Sequence, residues 1–152
     1  MDAPSSESAS PLPRGSVIAI DFGLKRTGFA VTDALRLLIE PLAPYHGPGE
    51  GPDLLRHIEA LAEERDLAAI LIGLPLNQDG SESAQCAKVR TFGDRIAERL
   101  PKTRVVYIDE HLTSKEAEAR LVEAGFTGQA RKDRRDSWSA LVMLEEWVAG
   151  QR

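Results

Sequence analysis

Cysteine is nearly absent from this sequence, which contains only Cys86 among its 152 residues. A lone thiol has no partner for an intramolecular disulfide, and the helical pattern around Cys86 indicates a buried small hydrophobic side chain rather than a nucleophile. The histidines have no spacing typical of a zinc site, and the sequence contains no Gly-x-Ser-x-Gly motif and no Walker-type loop. The missing motifs argue against a zinc hydrolase, a serine hydrolase and a P-loop enzyme. The scarcity of cysteine favours a reducing compartment.

Long hydrophobic runs are also missing. No apolar stretch approaches the roughly 20 residues of a membrane-spanning helix, so no membrane role is expected. Residues 1–16, MDAPSSESASPLPRGS, lack the apolar core of a signal peptide and are predicted to be a disordered extension. One domain is predicted over residues 17–150, and the expected location is the cytoplasm.

The chain has no basic excess, since its net charge is -5 and its pI is near 5.3. A protein that coats nucleic acid relies on such an excess, so any nucleic-acid binding must depend on local patches. Runs of charge are usually solvated faces, but two basic runs here adjoin acidic residues at the ends of predicted elements. The candidate phosphate-binding residues are Lys25, Arg26, Arg131, Lys132, Arg134 and Arg135.

Apolar runs and helical periodicities alternate in an order that predicts an α/β fold. Three strands are expected first, at residues 17–21, 27–32 and 35–42. They are followed by a helix at 54–62, a strand at 67–73, a helix at 89–100, a strand at 104–108, a helix at 113–125 and a last helix after Asp136. This order predicts a mixed five-stranded sheet, with an antiparallel start joined to parallel crossovers and helices on its faces.

Asp21 is the first candidate metal ligand because it ends a buried strand, at the edge where open α/β sheets place their ligands. Gly23, two residues later, would let a phosphate approach the backbone. The alternative is a turn aspartate that starts the Asp-Phe-Gly segment through an Asx hydrogen bond.

Two further acids are less clear from their local sequence. Asp109 and Glu110 are adjacent, so on a strand only one of them can face a given site, and nothing intrinsic to the pair decides which. Asp136 precedes a predicted helix, where aspartate is a favoured N-cap, and taken alone the N-cap interpretation is the stronger one. If all three acids meet, their oxygens would suit Mg²⁺ or Mn²⁺.

Four segments together resemble the YqgF/RuvX family of the ribonuclease H-like superfamily: IDFGLKRTGFAVTD, ILIGLPLNQDGS, IDEHLTSKEAE and RRDSWSALVMLEEW. The resemblance implies a ribonuclease H-like fold in which Asp21, Glu110 and Asp136 are the catalytic, metal-binding acids. It also places Lys25 and Arg26 at the site entrance and Asn77 on a loop facing the site. The chain departs from the family pattern at His111, where arginine is common, and at the SES segment after NQDG.

The resemblance further implies a metal-dependent nuclease that hydrolyses phosphodiester bonds with Mg²⁺ or Mn²⁺, two ions being expected. The implied role is processing of the 5′ end of precursor 16S rRNA in ribosome biogenesis, with the ribosomal particle as a further partner and a monomer or homodimer as the working form. One alternative is an endonuclease that acts on branched DNA, as a Holliday junction resolvase does. A second is a non-catalytic nucleic-acid-binding factor. A third is an ATPase of the actin and sugar-kinase superfamily, which would need two such domains.

Overall fold

In the computed structural model, which describes residues 12, 14–111 and 113–151, five strands and four helices follow one another. They are β1 Ser16–Asp21, β2 Arg26–Thr32, β3 Ile39–His46, α1 Pro52–Glu63, β4 Leu67–Leu74, α2 Ala84–Arg99, β5 Arg104–Asp109, α3 Thr113–Glu123 and α4 Gly128–Gly150. Most of the predicted N-terminal extension, residues 1–11 and 13, lies outside the described residues. Within the described part, no helix combines the length and apolar character needed to cross a bilayer.

The strands form one mixed sheet in the order β3-β2-β1-β4-β5. β1 pairs antiparallel with β2, and β2 pairs antiparallel with β3, whereas β4 runs parallel to both β1 and β5. The carboxyl ends of β1, β4 and β5 therefore lie at one edge of the sheet. This topology confirms the predicted antiparallel start followed by parallel crossovers.

The third strand was predicted at residues 35–42 but begins at Ile39. The Asp33 carboxylate accepts the backbone N–H groups of Leu37 and Leu38, each at 2.8 Å, and so holds these residues in the hairpin loop. β3 then continues past the predicted end at residue 42 to His46 and contains Pro41 and Pro44. Prolines are tolerated there because β3 is an edge strand of the sheet.

The last helix was predicted to follow Asp136, but α4 begins at Gly128 and contains Asp136 in its interior. The N-cap interpretation of Asp136 is therefore wrong. The early turns of α4 are rich in charge and show no apolar stripe, which is why the periodicity missed them. Tertiary ion pairs support these turns, since Glu118 on α3 contacts Arg135 at 3.0 Å and Arg131 at 3.8 Å.

The two faces of the sheet bury different kinds of side chain. The face covered by α1 and α2, here called the α1–α2 face, is filled by large residues of the strands: Ile18, Ile20, Phe29, Val31, Ile70 and Ile72. The face covered by α4, here called the α4 face, carries mostly smaller ones: Val17, Ala19, Ala30, Ala69 and Leu71. Because side chains alternate along each strand, this division fixes the face on which every strand residue lies.

Candidate active site

Two of the predicted acids lie at the carboxyl edge of the sheet on the α4 face. Asp21 is the last residue of β1 and follows Val17 and Ala19 in the alternation, so it faces α4. On β5, Val106 and Ile108 pack in the cluster on the α4 face, and Glu110 continues that alternation one residue beyond the strand.

A backbone hydrogen bond extends the β5 pairing as far as Glu110, whose N–H donates to the Leu74 carbonyl at 3.2 Å. Asp109, in contrast, uses its carboxylate locally to accept the His111 N–H at 2.8 Å. Of the two adjacent acids, Glu110 is therefore the one that lies on the α4 face with Asp21.

Asp136 is carried to the same place by an unusually close contact between α4 and β2. Gly28 pairs with Asp21 across the antiparallel ladder. A Cβ atom added at Gly28 would lie 2.1 Å from the carbonyl carbon of Asp136 and 2.4 Å from the nitrogen of Ser137. The buried Ser137 hydroxyl accepts the Phe29 N–H at 3.1 Å and ties the helix to β2. Only glycine permits this approach of the helix backbone.

A second glycine makes room on the other side of Asp21. Gly73 on β4 pairs with Ile108, and the strand register places it beside the end of β1. A Cβ atom there would lie 2.6 Å from Sδ of Met143 and 3.1 Å from Cβ of Glu110. The α4 face therefore ends in a row of Gly28, Asp21 and Gly73 with Glu110 beyond it.

The electrostatics of the acids are consistent with this convergence, with Asp21 at the centre. Burial raises the pKa of Asp21 well above its usual value, and the charges of Glu110 and Asp136 raise it further. A hydrogen bond with Glu110 also raises the pKa of Asp21 and lowers that of Glu110, as expected if Asp21 keeps the shared proton. Burial nevertheless leaves the pKa of Glu110 above its usual value.

Asp136 forms an ion pair with a neighbouring cation. Nε of Arg26 lies 3.3 Å from Oδ2 of Asp136. Burial raises the pKa of Asp136, while the positive charges of Arg26, Arg135 and His46 act in the opposite direction. The guanidinium of Arg26 therefore offsets part of the repulsion among the three carboxyl groups.

The donor set fits a divalent metal, although the side chains are not yet arranged around one. Among the described residues, no three acidic, histidine or cysteine side chains are already gathered as a metal cage. The arrangement of the acids accounts for this, because the carboxyl groups of Asp21 and Glu110 interact with each other and Asp136 is paired with Arg26. All-oxygen ligands that repel one another are those that Mg²⁺ and Mn²⁺ favour.

The other residues predicted to bind nucleic acid differ in whether they already make contacts within the protein. Lys25 is exposed on the β1–β2 loop next to Arg26, and its carbonyl accepts the Gly47 N–H at 2.9 Å. Asn77 is exposed and donates to Ser81 Oγ at 3.0 Å, so its amide shapes its own loop. Lys132 is also exposed. The Arg134 guanidinium lies 4.2 Å from the centre of the Phe126 ring.

Sequence reasoning missed the residues that position the acids, namely Gly28, Gly73 and Ser137, and it also missed His46 beside Asp136. A signal existed for the glycines, because a glycine inside a strand often marks a close backbone approach. Gly23 was expected to let a phosphate approach the backbone, but its neighbours in the structure belong to the β1–β2 turn. A Cβ atom there would lie 2.2 Å from the Arg26 carbonyl oxygen, so this glycine serves to close the β1–β2 turn.

A mixed five-stranded sheet with helices on both faces and acids at its carboxyl edge defines the class as ribonuclease H-like. In agreement, the chain superposes on T. thermophilus RuvC, solved in complex with a Holliday junction substrate, with a TM-score of 0.51. That match covers 90% of this chain and 94% of RuvC at 13% identity, so it supports the fold alone.

The chain belongs to the RuvX family. The family model, described as "Holliday junction resolvase", matches residues 15–150. A protein of *Sodalis glossinidius* described as "Putative pre-16S rRNA nuclease" is 37% identical over 88% of this chain and 94% of its own length. A *Cereibacter sphaeroides* protein with the same description is 34% identical over 96% of this chain and 94% of its own length.

Proposed function

We propose that this protein is a divalent-metal-dependent nuclease that hydrolyses a phosphodiester bond in precursor 16S rRNA and thereby forms the 5′ end of that RNA. The observation that carries the proposal is the convergence of Asp21 with both Glu110 and Asp136. The descriptions of the relatives favour precursor rRNA over branched DNA as the substrate.

Asp21, Glu110 and Asp136 would hold the metal, with Asp21 in the central place. Two bound ions would activate the attacking water and stabilise the leaving oxygen. Asp21 would give up its shared proton on metal binding, and Asp136 would exchange Arg26 for the metal. Arg26 is then free for a phosphate of the substrate, and it remains next to the acids because it is the first residue of β2.

The exposed cations around the acids would position the RNA backbone without reading its sequence. Lys25 and Arg26 are proposed as the principal phosphate contacts because Lys25 ends the β1–β2 loop and Arg26 begins β2, close to Asp21. Lys132 and Arg134 extend the same surface along α4, and Asn77 is proposed to contact RNA from the loop after β4. Arg131 and Arg135 also contact Glu118, so their contribution is expected to be smaller.

The test compares three substrates: a precursor 16S rRNA 5′ end, a linear single strand and a four-way DNA junction. Each is incubated with Mg²⁺, Mn²⁺ or chelator. We expect metal-dependent cleavage of the precursor end, leaving 5′-phosphate and 3′-hydroxyl ends. Faster cleavage of the junction would favour the resolvase alternative. Binding without cleavage under every ion would favour a non-catalytic factor.

Asp21→Asn is the matched variant for this test. Asparagine keeps the size of the side chain and can still donate a hydrogen bond to Glu110, but it removes the central carboxylate. We expect cleavage to fall at least about 1,000-fold, the scale seen when a group that acts in the transition state is lost. Parent-like cleavage by this variant would contradict the assignment of Asp21.

A further inference from the structure

A groove of about 430 Å³ lies between the edge strand β3 and the early turns of α4. The residues of its lining that matter here are Pro41, Pro44, His46, Arg134, Ser137 and Trp138. The volume is within the range of about 300 to 1,000 Å³ typical of pockets for small organic groups. None of the proposed steps of hydrolysis uses this groove.

The groove adjoins the acid site along both of its walls. On α4, Ser137 follows Asp136 directly in the chain. On β3, His46 pairs with Arg26 in the sheet, and Arg26 contacts Asp136. A polynucleotide whose phosphate lies at the acids would therefore have a neighbouring nucleotide within reach of the groove.

The chemistry of the lining suits a planar aromatic group with negative charge nearby. The Trp138 indole is packed edge-on against Phe126, with ring centres 6.0 Å apart, and Arg134 lies over the other ring of this pair, Phe126. The prolines supply apolar wall, while His46 and Arg134 are exposed cationic or polar groups at the rim. The one acid in the lining, Asp133, accepts a hydrogen bond from Gln129 at 2.7 Å.

An extended peptide is a less suitable occupant. A peptide that adds to a sheet edge needs a ladder of backbone donors and acceptors. Pro41 and Pro44 have no N–H group, so β3 offers an interrupted ladder. Bases, in contrast, stack on accessible aromatic side chains whatever their sequence. Trp138 is half-buried against the core of the α4 face and lines the groove with the remainder of its surface.

We propose that the β3–α4 groove binds an unpaired nucleobase of the substrate strand, next to the phosphate that is cut, by stacking on Trp138. This inference rests on the proposed nuclease function and extends it. It assigns the site to a strand that is single-stranded at the point of cleavage. A base inside a duplex has both of its faces stacked and could not enter the groove.

Fluorescence provides a direct test because the chain has only two tryptophans. Trp147 lies about 14 Å further along α4, at 1.5 Å per residue, so Trp147→Phe leaves Trp138 as the single reporter. Combined with Asp21→Asn to prevent cleavage, this variant is titrated with a short single-stranded RNA in Mg²⁺. A labelled copy of the RNA measures binding independently by anisotropy.

We expect Trp138 fluorescence to be quenched in parallel with binding. An oligomer of the same length with riboses and phosphates but no bases should bind at least about tenfold more weakly and cause no quenching. RNA binding without quenching, no RNA binding, or equal quenching by a fully paired duplex would each overturn the proposal. Stronger quenching by a proline-rich peptide than by RNA would overturn it in favour of a peptide site.

Cleavage assays separate this proposal from the proposed function. Trp138→Ala should raise KM for a single-stranded substrate about tenfold or more, Trp138→Phe should keep most of the affinity, and Trp147→Phe should behave as the parent. If the parent cleaves and Trp138→Ala has an unchanged KM, the groove proposal fails while the nuclease assignment stands. If the parent cleaves nothing with either metal, the nuclease assignment itself fails.

Discussion

The two faces of the sheet differ in the size of their side chains, and this difference explains where the acids lie. On the α1–α2 face, isoleucine, phenylalanine and valine side chains hold the helices at an ordinary packing distance. On the α4 face, the residues of β1 and β2 nearest the helix are mostly alanine and glycine. The α4 backbone lies so close to Gly28 that any side chain there would clash with it. One face therefore supplies a conventional core, and the other brings a helical carboxylate to the end of β1.

Among changes to the packing of the two faces, the largest effect is expected from adding a side chain at Gly28 on the α4 face. Gly28→Ala would place a methyl group in the backbone of α4, so the helix and Asp136 must move. We expect a loss of about 1–3 kcal/mol in the free energy of unfolding, typical of overpacking. We also expect kcat/KM to fall about 100-fold, the cost of misplacing a catalytic group by about 1 Å. Urea unfolding and cleavage assays measure the two effects.

Gly150→Ala is the matched control for this substitution. Gly150 lies in the same helix, and a Cβ atom there would have no neighbour within 4 Å. This control should be stabilised by about 0.5 kcal/mol and keep parent activity. Parent-like stability and activity of Gly28→Ala would show that the close contact does not position Asp136.

The second prediction concerns the pH dependence of stability. The α4 face contains the buried carboxyl group of Asp21, which an ordinary apolar core lacks. Burial and the neighbouring acids raise the pKa of Asp21 in the folded state. Its contribution to stability is therefore fully present below the unfolded pKa of about 3.9 and is lost as the pH rises through the folded pKa.

In chelator, the parent should thus lose stability relative to Asp21→Asn as the pH is raised from 4 through neutrality. Thermal melting of both proteins across that range measures the difference, and each 1 kcal/mol corresponds to about 2–4 °C in Tm. Parallel pH profiles for the two proteins would contradict the raised pKa.

The third prediction tests the α1–α2 face as a plain core. Ile70 is fully buried there. Ile70→Val should cost about 0.5–1.5 kcal/mol of unfolding free energy, as removal of one buried methyl group does. Because this face does not position the acids, kcat/KM measured well below Tm should stay unchanged. A large loss of kcat in fully folded Ile70→Val protein would show that packing on the α1–α2 face affects the acids on the α4 face.

The smallest effect is expected from Arg26, at the rim of the α4 face. If this side chain contacts one phosphate of single-stranded RNA, Arg26→Gln should reduce the slope of log K against log salt by about 0.7. The same variant should bind Mn²⁺ more tightly in calorimetry, because Asp136 no longer pairs with a guanidinium. Arg56→Gln is the control, since Arg56 is exposed and pairs with Asp53 on α1. Equal slopes for the two variants would remove Arg26 from the RNA interface.

Local patterns in the sequence were sufficient for the order of elements, the mixed sheet and the position of Asp21. Strands buried on both faces and amphipathic helices each carry a repeat that can be read without knowing the rest of the chain. Local patterns did not decide which of Asp109 and Glu110 lies beside Asp21, because locally neither acid differs from the other. Alternation along β5 decides it only once the α4 face is known.

Only the tertiary structure decided where Asp136 lies, inside α4 and against β2. Its helix starts in a charged segment that has no apolar stripe and depends on Glu118 of another helix, so a local pattern placed the start too late. The contact of Gly28 with Asp136 and the pairing of Arg26 with the same residue join positions more than a hundred residues apart in sequence. Such contacts follow from how a helix packs on a sheet, a property that no single segment of the chain contains.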